Sequence, residues 1–221
     1  MNKNEASIGK ELVRTVTSDK LADVVFDIAE VALDASLSEG VFKDLPIVGT
    51  IVKLLHAGKS ISEALFIRKL FRFLTGLQNV PIQEREKLLA EYPDKSEKQK
   101  ILGENLLLAL ERLDDVEKPS ILARFFTAYI KSEIDYITFT RLARSLEKFN
   151  LALLPNLRWF YTYEEPRVDT PEEVIHELSL AGLALVSLEG SGTIGGSASY
   201  LQSSLGKEFL RLGFEIEVQD K

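Results

Sequence analysis

The chain has 221 residues, 45% of them hydrophobic and 28% charged, and it contains no cysteine. These values are ordinary for a globular protein, and the lack of thiols excludes disulfides, zinc thiolate sites and a cysteine nucleophile. The net charge is −7. Residues 164–221 carry all of it, with 11 acidic and 4 basic residues, whereas the first 163 residues carry 23 of each sign. Nucleic-acid modules usually show the opposite sign.

Apolar residues recur at three- and four-residue spacing through most of the first 163 residues, which predicts a series of amphipathic helices. Ser18 and Asp135 are predicted N-caps, and Pro46 is predicted to open a helix. Trp159, Phe160 and Tyr161 are expected to anchor the packing of the last helix in this series. The predicted spans are 5–16, 18–35, two helices within 44–77 separated at Gly58, then 82–92, 95–113, 118–131, 136–149 and 154–161.

The character of the sequence changes after this series. Residues 162–169 contain one proline and four charges and form the predicted linker. A helix is predicted from Pro171 at its first position to Ala181, with Gly182 as its C-terminal cap. Strands follow at 183–188 and 198–202 around a Gly/Ser-rich tip, then a helix at 203–212 and a strand at 214–218. The predicted fold is mainly α: a multi-helix bundle over 1–163 and a winged-helix-like α+β module over 164–221.

The Gly-rich tip has the letters of a nucleotide-binding loop. Gly190, Gly192 and Gly195 match the G-x-G-x-x-G fingerprint. The next helix starts too late after the last glycine, and no further strands follow to build the parallel sheet that such a site needs. We favour a hairpin tip, with nucleotide binding as an alternative. The two histidines, His56 and His176, lie in different segments and lack metal-site spacing. We expect no catalytic residues, metal or cofactor.

A basic amphipathic hairpin is predicted within residues 53–72, where five cations face one acid, Glu63, and the other side is apolar. The cations are Lys53, Lys59, Arg68, Lys69 and Arg72. Such a hairpin can bind an anionic membrane. The simpler interpretation is a core hairpin with a solvated charged face. The alternative is a membrane-active effector that inserts residues 44–77.

The C-terminal pattern runs Leu178-x-x-x-Gly182-Leu183, a Gly-rich tip, then Tyr200-Leu201-x-Ser203-x-x-Gly206-x-x-Phe209-Leu210. It resembles winged-helix modules, although Ser203 stands where threonine is usual and the tyrosine is one residue closer to it. The resemblance implies a wing tip and residues that support the wing. The tip residues are Gly190, Gly192, Gly195 and Gly196, and the supporting residues are Tyr200, Leu201, Gly206 and Phe209.

In DNA-reading winged helices the recognition helix enters the major groove. The corresponding helix here, 171–181, carries Glu172, Glu173 and Glu177 and no lysine or arginine. Because phosphate contacts dominate affinity for DNA, this helix should repel a duplex. We therefore expect a protein-interaction or dimerisation wing, with a DNA-binding transcription regulator as the alternative.

The chain as a whole resembles bacterial proteins of the abortive-infection alpha type. The residues that carry this resemblance are Leu106-Leu107-Leu108-Ala109-Leu110 in the helical body and Leu178 to Leu210 in the tail. It implies anti-phage defence and supplies no catalytic residues. Since no signal peptide or span of about 20 apolar residues is evident, we expect a soluble cytoplasmic protein. We expect its partner to be a protein or a second copy rather than nucleic acid, with transient membrane contact through the basic hairpin as a further option.

Overall fold

The computed structural model describes residues 8–23, 45–55, 61–90, 95–162, 171–188 and 198–218. Within them the chain forms eleven α-helices, a 3-10 turn and one two-stranded antiparallel sheet near the C-terminus. The mainly helical class is confirmed. The chain divides into two compact units, residues 1–133 and 134–221. The boundary predicted between 163 and 164 falls within 163–170, outside the described residues, and stays a prediction.

The first unit is helical throughout its described part. α1 packs against α3 and α6, and α4 packs against α6 and α7. Phe73 of α4 and Phe126 of α7 are both buried and contact each other, with ring centroids 5.7 Å apart. The seven helices are α1 (Ile8–Val16), α2 (Lys20–Asp23), α3 (Pro46–Leu55), α4 (Ile61–Gly76), α5 (Ile82–Ala90), α6 (Lys95–Arg112) and α7 (Lys118–Ile130).

The crossing of α1 and α6 depends on two glycines. A Cβ on Gly103 would overlap the backbone carbonyl of Gly9, and a Cβ on Gly9 would lie 2.5 Å from the carbonyl oxygen of Lys100. The two backbones therefore meet directly, at a distance that no other residue type allows. The apolar residues of α1 that are buried in the core are Leu12, Val13 and Val16.

A buried arginine fixes the end of α1. Arg85 of α5 is 1% exposed, and its guanidinium donates to the carbonyl oxygens of Val16 at 2.6 Å, Ser18 at 2.8 Å and Val80 at 2.9 Å. Burial lowers the pKa of Arg85, although it stays charged at neutral pH. A cation at a helix C-terminus is favourable because the carbonyls there lack partners and carry partial negative charge.

The described residues of the second unit form four α-helices, a 3-10 turn and the sheet. Asp135 is the N-cap of α8, as predicted, and accepts a hydrogen bond from the Thr138 backbone N–H at 2.7 Å. Phe149 and Phe209 meet edge to face in the core, 5.3 Å apart. The elements are α8 (Tyr136–Lys148), the 3-10 turn (Leu151–Leu153), α9 (Leu154–Thr162), α10 (Glu172–Leu180), β1 (Ala184–Leu188), β2 (Ala198–Gln202) and α11 (Ser204–Phe214).

The turn from α10 into β1 forms as predicted at Gly182. Its φ is +76°, and its N–H donates to Ser179 O while the N–H of Leu183 donates to Leu178 O. This is the left-handed cap that glycine favours at a helix end. The start of α10 differs by one residue, because Pro171 has ψ 139° and is the N-cap, not the first helical residue.

The strand predicted at 214–218 is wrong. α11 continues to Phe214 and ends where Glu215 adopts φ 57°, and the N–H of Ile216 donates to Leu210 O. Phe214 packs against Phe209, with ring centroids 5.7 Å apart. The alternation of apolar residues after Phe214 is typical of a strand, but the helix end satisfies this backbone locally.

Candidate functional site

The most distinctive surface of the second unit is the β1–β2 ribbon. Its antiparallel register pairs Leu185 with Leu201 and Val186 with Tyr200. Paired residues share a face, and successive residues point to opposite faces. Leu185 and Leu201 are each 52% exposed and Val186 is 47% exposed, while Tyr200 is half-buried. Both faces of the ribbon thus present apolar side chains to solvent.

The base of the ribbon is held by Tyr161 of α9. Its hydroxyl donates to the carbonyl oxygen of Leu183 at 2.5 Å and accepts from the backbone N–H of Ser203 at 2.9 Å. The side chain is 2% exposed, and burial raises the pKa of Tyr161. One hydroxyl therefore ties together the residue before β1 and the residue after β2.

The same point starts α11. Ser203 is the N-cap, and its Oγ accepts from the Gly206 N–H at 2.9 Å. A Cβ on Gly206 would overlap the Tyr161 hydroxyl and lie 2.7 Å from the Leu183 carbonyl oxygen. A second hydrogen bond holds the end of β2, where the side-chain amide of Gln202 donates to the Phe160 carbonyl oxygen at 2.9 Å. The start of β1 and the end of β2 are therefore held in place by these bonds.

The predicted wing residues divide into three sets. Gly206 and Phe209 are buried at the base, the former against Tyr161 and the latter in the core. Tyr200 and Leu201 lie on β2. The four predicted tip residues, Gly190, Gly192, Gly195 and Gly196, lie outside the described residues.

The acidic helix α10 precedes the ribbon. Glu172, Glu173 and Glu177 are all exposed, as is His176. The described part of this helix therefore presents negative charge, which is the wrong sign for contact with a phosphate backbone.

The basic hairpin is brought together only in part. Arg68 is exposed on α4, while Lys69 donates to the carbonyl oxygens of Glu111, at 3.1 Å, and Leu113 at the end of α6. Arg72 forms an ion pair with Glu117. Two of the five cations thus stabilise the α6–α7 connection. Lys59 and the side chain of Lys53 lie outside the described residues.

Comparison with known proteins gives no relative. No protein-family model, curated protein or solved structure matches the chain. Within the residues that the structure describes, no three His, Asp or Glu side chains cluster as metal ligands would. None of the helices in that part is long and apolar enough to cross a bilayer.

Sequence reasoning missed the clamp at the base of the ribbon. Tyr161 is evident in the sequence as a packing anchor, but its bonds reach 22 and 42 residues along the chain. The one local signal was the Ser203-x-x-Gly206 spacing, which the sequence marks only as part of the winged-helix-like pattern. The structure gives the physical reason: the serine caps α11 and the glycine leaves room for the hydroxyl.

Proposed function

We propose that this chain is a non-enzymatic interaction protein that docks a protein partner on its β1–β2 ribbon, which we interpret as the wing of a winged-helix-like module. The observation that carries the proposal is the Leu185–Leu201 pair, with each side chain 52% exposed on a ribbon whose base is fixed. An apolar surface on a fixed base loses little conformational freedom when a partner covers it.

The energetics favour a protein partner. Fully burying a leucine contributes about 1.5–3 kcal/mol, so covering the exposed half of the Leu185–Leu201 pair would contribute about 2 kcal/mol. The outer edges of a two-stranded ribbon also offer backbone N–H and C=O groups that a strand of a partner can pair with. Apolar contact and backbone pairing together suit a partner that adds a strand.

The charge of the neighbouring helix supports the same partner class. The exposed carboxylates of Glu172, Glu173 and Glu177 disfavour a nucleic acid. The resemblance to abortive-infection proteins makes anti-phage defence the setting that we propose. In that setting the ribbon would bind a protein of the infected cell or of the phage.

A site-specific photo-crosslinker at position 201 tests the docking. The full chain is produced in bacterial cells, with and without phage infection, and the matched control carries the crosslinker at Leu108, which is 44% exposed on α6. We expect a discrete protein adduct from position 201 that position 108 does not give. Equal labelling from both positions, or none from either, contradicts the proposal.

A functional assay tests the setting. The variant Leu185→Thr/Leu201→Thr keeps residues that favour strands but removes the leucine pair from one face of the ribbon. We expect it to lose protection against phage, measured by plaque counts, whereas Leu108→Thr retains that protection. Protection that survives the double substitution would show that the ribbon is not the working surface.

A further inference from the structure

Helix α8 carries a narrow basic stripe. Ile137, Arg141, Arg144 and Lys148 are all exposed, and Ile137 is 67% exposed. At 100° per residue these four positions fall within about 60° of one another around the helix axis. The stripe therefore reads, from the N-terminus, as one apolar side chain followed by three cations.

Helix α10 carries the complementary stripe in the opposite order. Glu173, His176, Glu177 and Leu180 are exposed on one side, with Glu172 exposed beside them. Leu180, at the C-terminal end, is 62% exposed. From the N-terminus this surface consists of two anions with His176 between them, followed by one apolar side chain.

The spacing of the two stripes matches when the helices run antiparallel. Arg141 and Arg144 lie four and seven residues from Ile137, about 6 and 10 Å along the axis at 1.5 Å per residue. Glu177 and Glu173 lie three and seven residues from Leu180, about 5 and 10 Å. The resulting pairs are Ile137 with Leu180, Arg141 with Glu177 and Arg144 with Glu173.

We propose that α8 of one copy of the chain packs antiparallel against α10 of a second copy through these pairs. Opposite charges select the partner helix, because pairing two identical stripes brings like charges together. The orientation is selected because a parallel arrangement would place Ile137 and Leu180 against charged side chains. The basic stripe and the acidic stripe lie on the same chain. A second copy therefore carries an acidic stripe for α8 and a basic stripe for α10. The antiparallel arrangement also places the helix dipoles in their favourable relative direction.

This contact is independent of the ribbon proposed above. It uses neither β1 nor β2, and its partner is the chain itself. The variant Leu185→Thr/Leu201→Thr should therefore associate as the wild type does. Failure of one proposal leaves the other unaffected.

Sedimentation equilibrium of the purified full chain tests the association. We expect a concentration-dependent dimer or larger species in 50 mM salt that weakens at 500 mM, because salt screens exposed charges. We expect Arg141→Glu/Arg144→Glu and Glu173→Arg/Glu177→Arg each to raise the dissociation constant at least tenfold. A wild-type chain that is monomeric at low salt, or reversals that leave association unchanged, would overturn the proposal.

Mixing the two charge-reversed variants gives the decisive result. The first has acidic stripes on both helices and the second has basic stripes on both, so each repels itself and attracts the other. We expect the mixture to recover the wild-type dissociation constant within about threefold, provided that circular dichroism shows both variants folded. Variants that each fold but do not associate on mixing overturn it.

A nucleic-acid function for the basic stripe predicts a different pattern. In that case Arg141→Glu/Arg144→Glu would abolish binding to a labelled DNA or RNA oligonucleotide, Glu173→Arg/Glu177→Arg would strengthen it, and the mixture would form no mixed species. That combination would replace self-association with nucleic-acid binding.

Discussion

The hydroxyl of Tyr161 occupies the space that a side chain at position 206 would need. A Cβ on Gly206 would overlap this hydroxyl and lie 2.5 Å from the ring carbon that bears it. The hydroxyl cannot move away without losing its bonds to Leu183 and Ser203. The glycine, the tyrosine and the two ends of the ribbon are therefore one structural unit.

Gly206→Ala should destabilise the protein by about 1–3 kcal/mol, the usual cost of forcing an extra methyl into a packed core. Urea unfolding followed by circular dichroism measures this loss. The matched control is Gly49→Ala in α3, where an added Cβ meets nothing within 4 Å. Since alanine favours a helix more than glycine does, the control should be neutral or stabilising by up to about 1 kcal/mol. Equal effects at both positions would refute the close contact at Gly206.

Tyr161→Phe should destabilise the protein by about 1–3 kcal/mol, because it leaves the buried N–H of Ser203 without its acceptor and the Leu183 carbonyl without its donor. Tyr200→Phe, at a half-buried position on the ribbon, is the control and should change little. The double variant Tyr161→Phe/Gly206→Ala should lose less than the sum of the single losses, because the overlapping hydroxyl is gone. Additive losses would show that the two residues do not interact.

The buried hydroxyl also predicts a pH dependence. Burial raises the pKa of Tyr161 above its ordinary value of 10.0, so the unfolded chain loses this proton at a lower pH than the folded chain does. The contribution of this group is fully present below pH about 10 and is lost as the pH rises through the folded-state pKa. We expect the free energy of unfolding to fall above pH 10, and to fall less steeply in Tyr161→Phe. Identical slopes would contradict this.

The sequence predicted the local features of the fold well. Asp135, Pro46 and Gly182 each mark a helix end where their chemistry favours one. Such signals act within a few residues, so they can be recognised without knowing the rest of the structure.

Features that depend on distant residues could not be predicted from local patterns. Gly206 stood out only as part of a motif, because the hydroxyl that requires it lies 45 residues earlier. Lys69 and Arg72 are predicted members of a basic surface, yet both bind the α6–α7 connection. Periodicity gives the exposed side of a helix but does not say which neighbour will meet it.

Arg85→Met should destabilise the first unit by about 3 kcal/mol or more. It keeps an unbranched apolar chain but removes the guanidinium bonds to the carbonyl oxygens of Val16, Ser18 and Val80. Ser18 O then keeps only the 3.4 Å bond from the Leu21 N–H. Arg85→Lys should recover only part of this loss, since one ammonium cannot reproduce a planar guanidinium. Thermal melting compares both with Arg68→Met, an exposed control that should fall within about 0.5 kcal/mol of wild type. An Arg85→Met melt equal to that of the control would contradict the cap on α1.

Gly103→Ala should be the most disruptive of the single-methyl changes. Its Cβ would overlap the backbone of Gly9, and a backbone cannot turn aside as a side chain can. The helices must therefore separate, which exposes part of the buried side of α1. Relative to wild type, backbone hydrogen exchange should become faster in α1 than in α7. Urea unfolding should show a larger loss of unfolding free energy than Gly206→Ala does. A variant as stable as Gly49→Ala, with unchanged exchange in α1, would show that the two helices do not meet at these glycines.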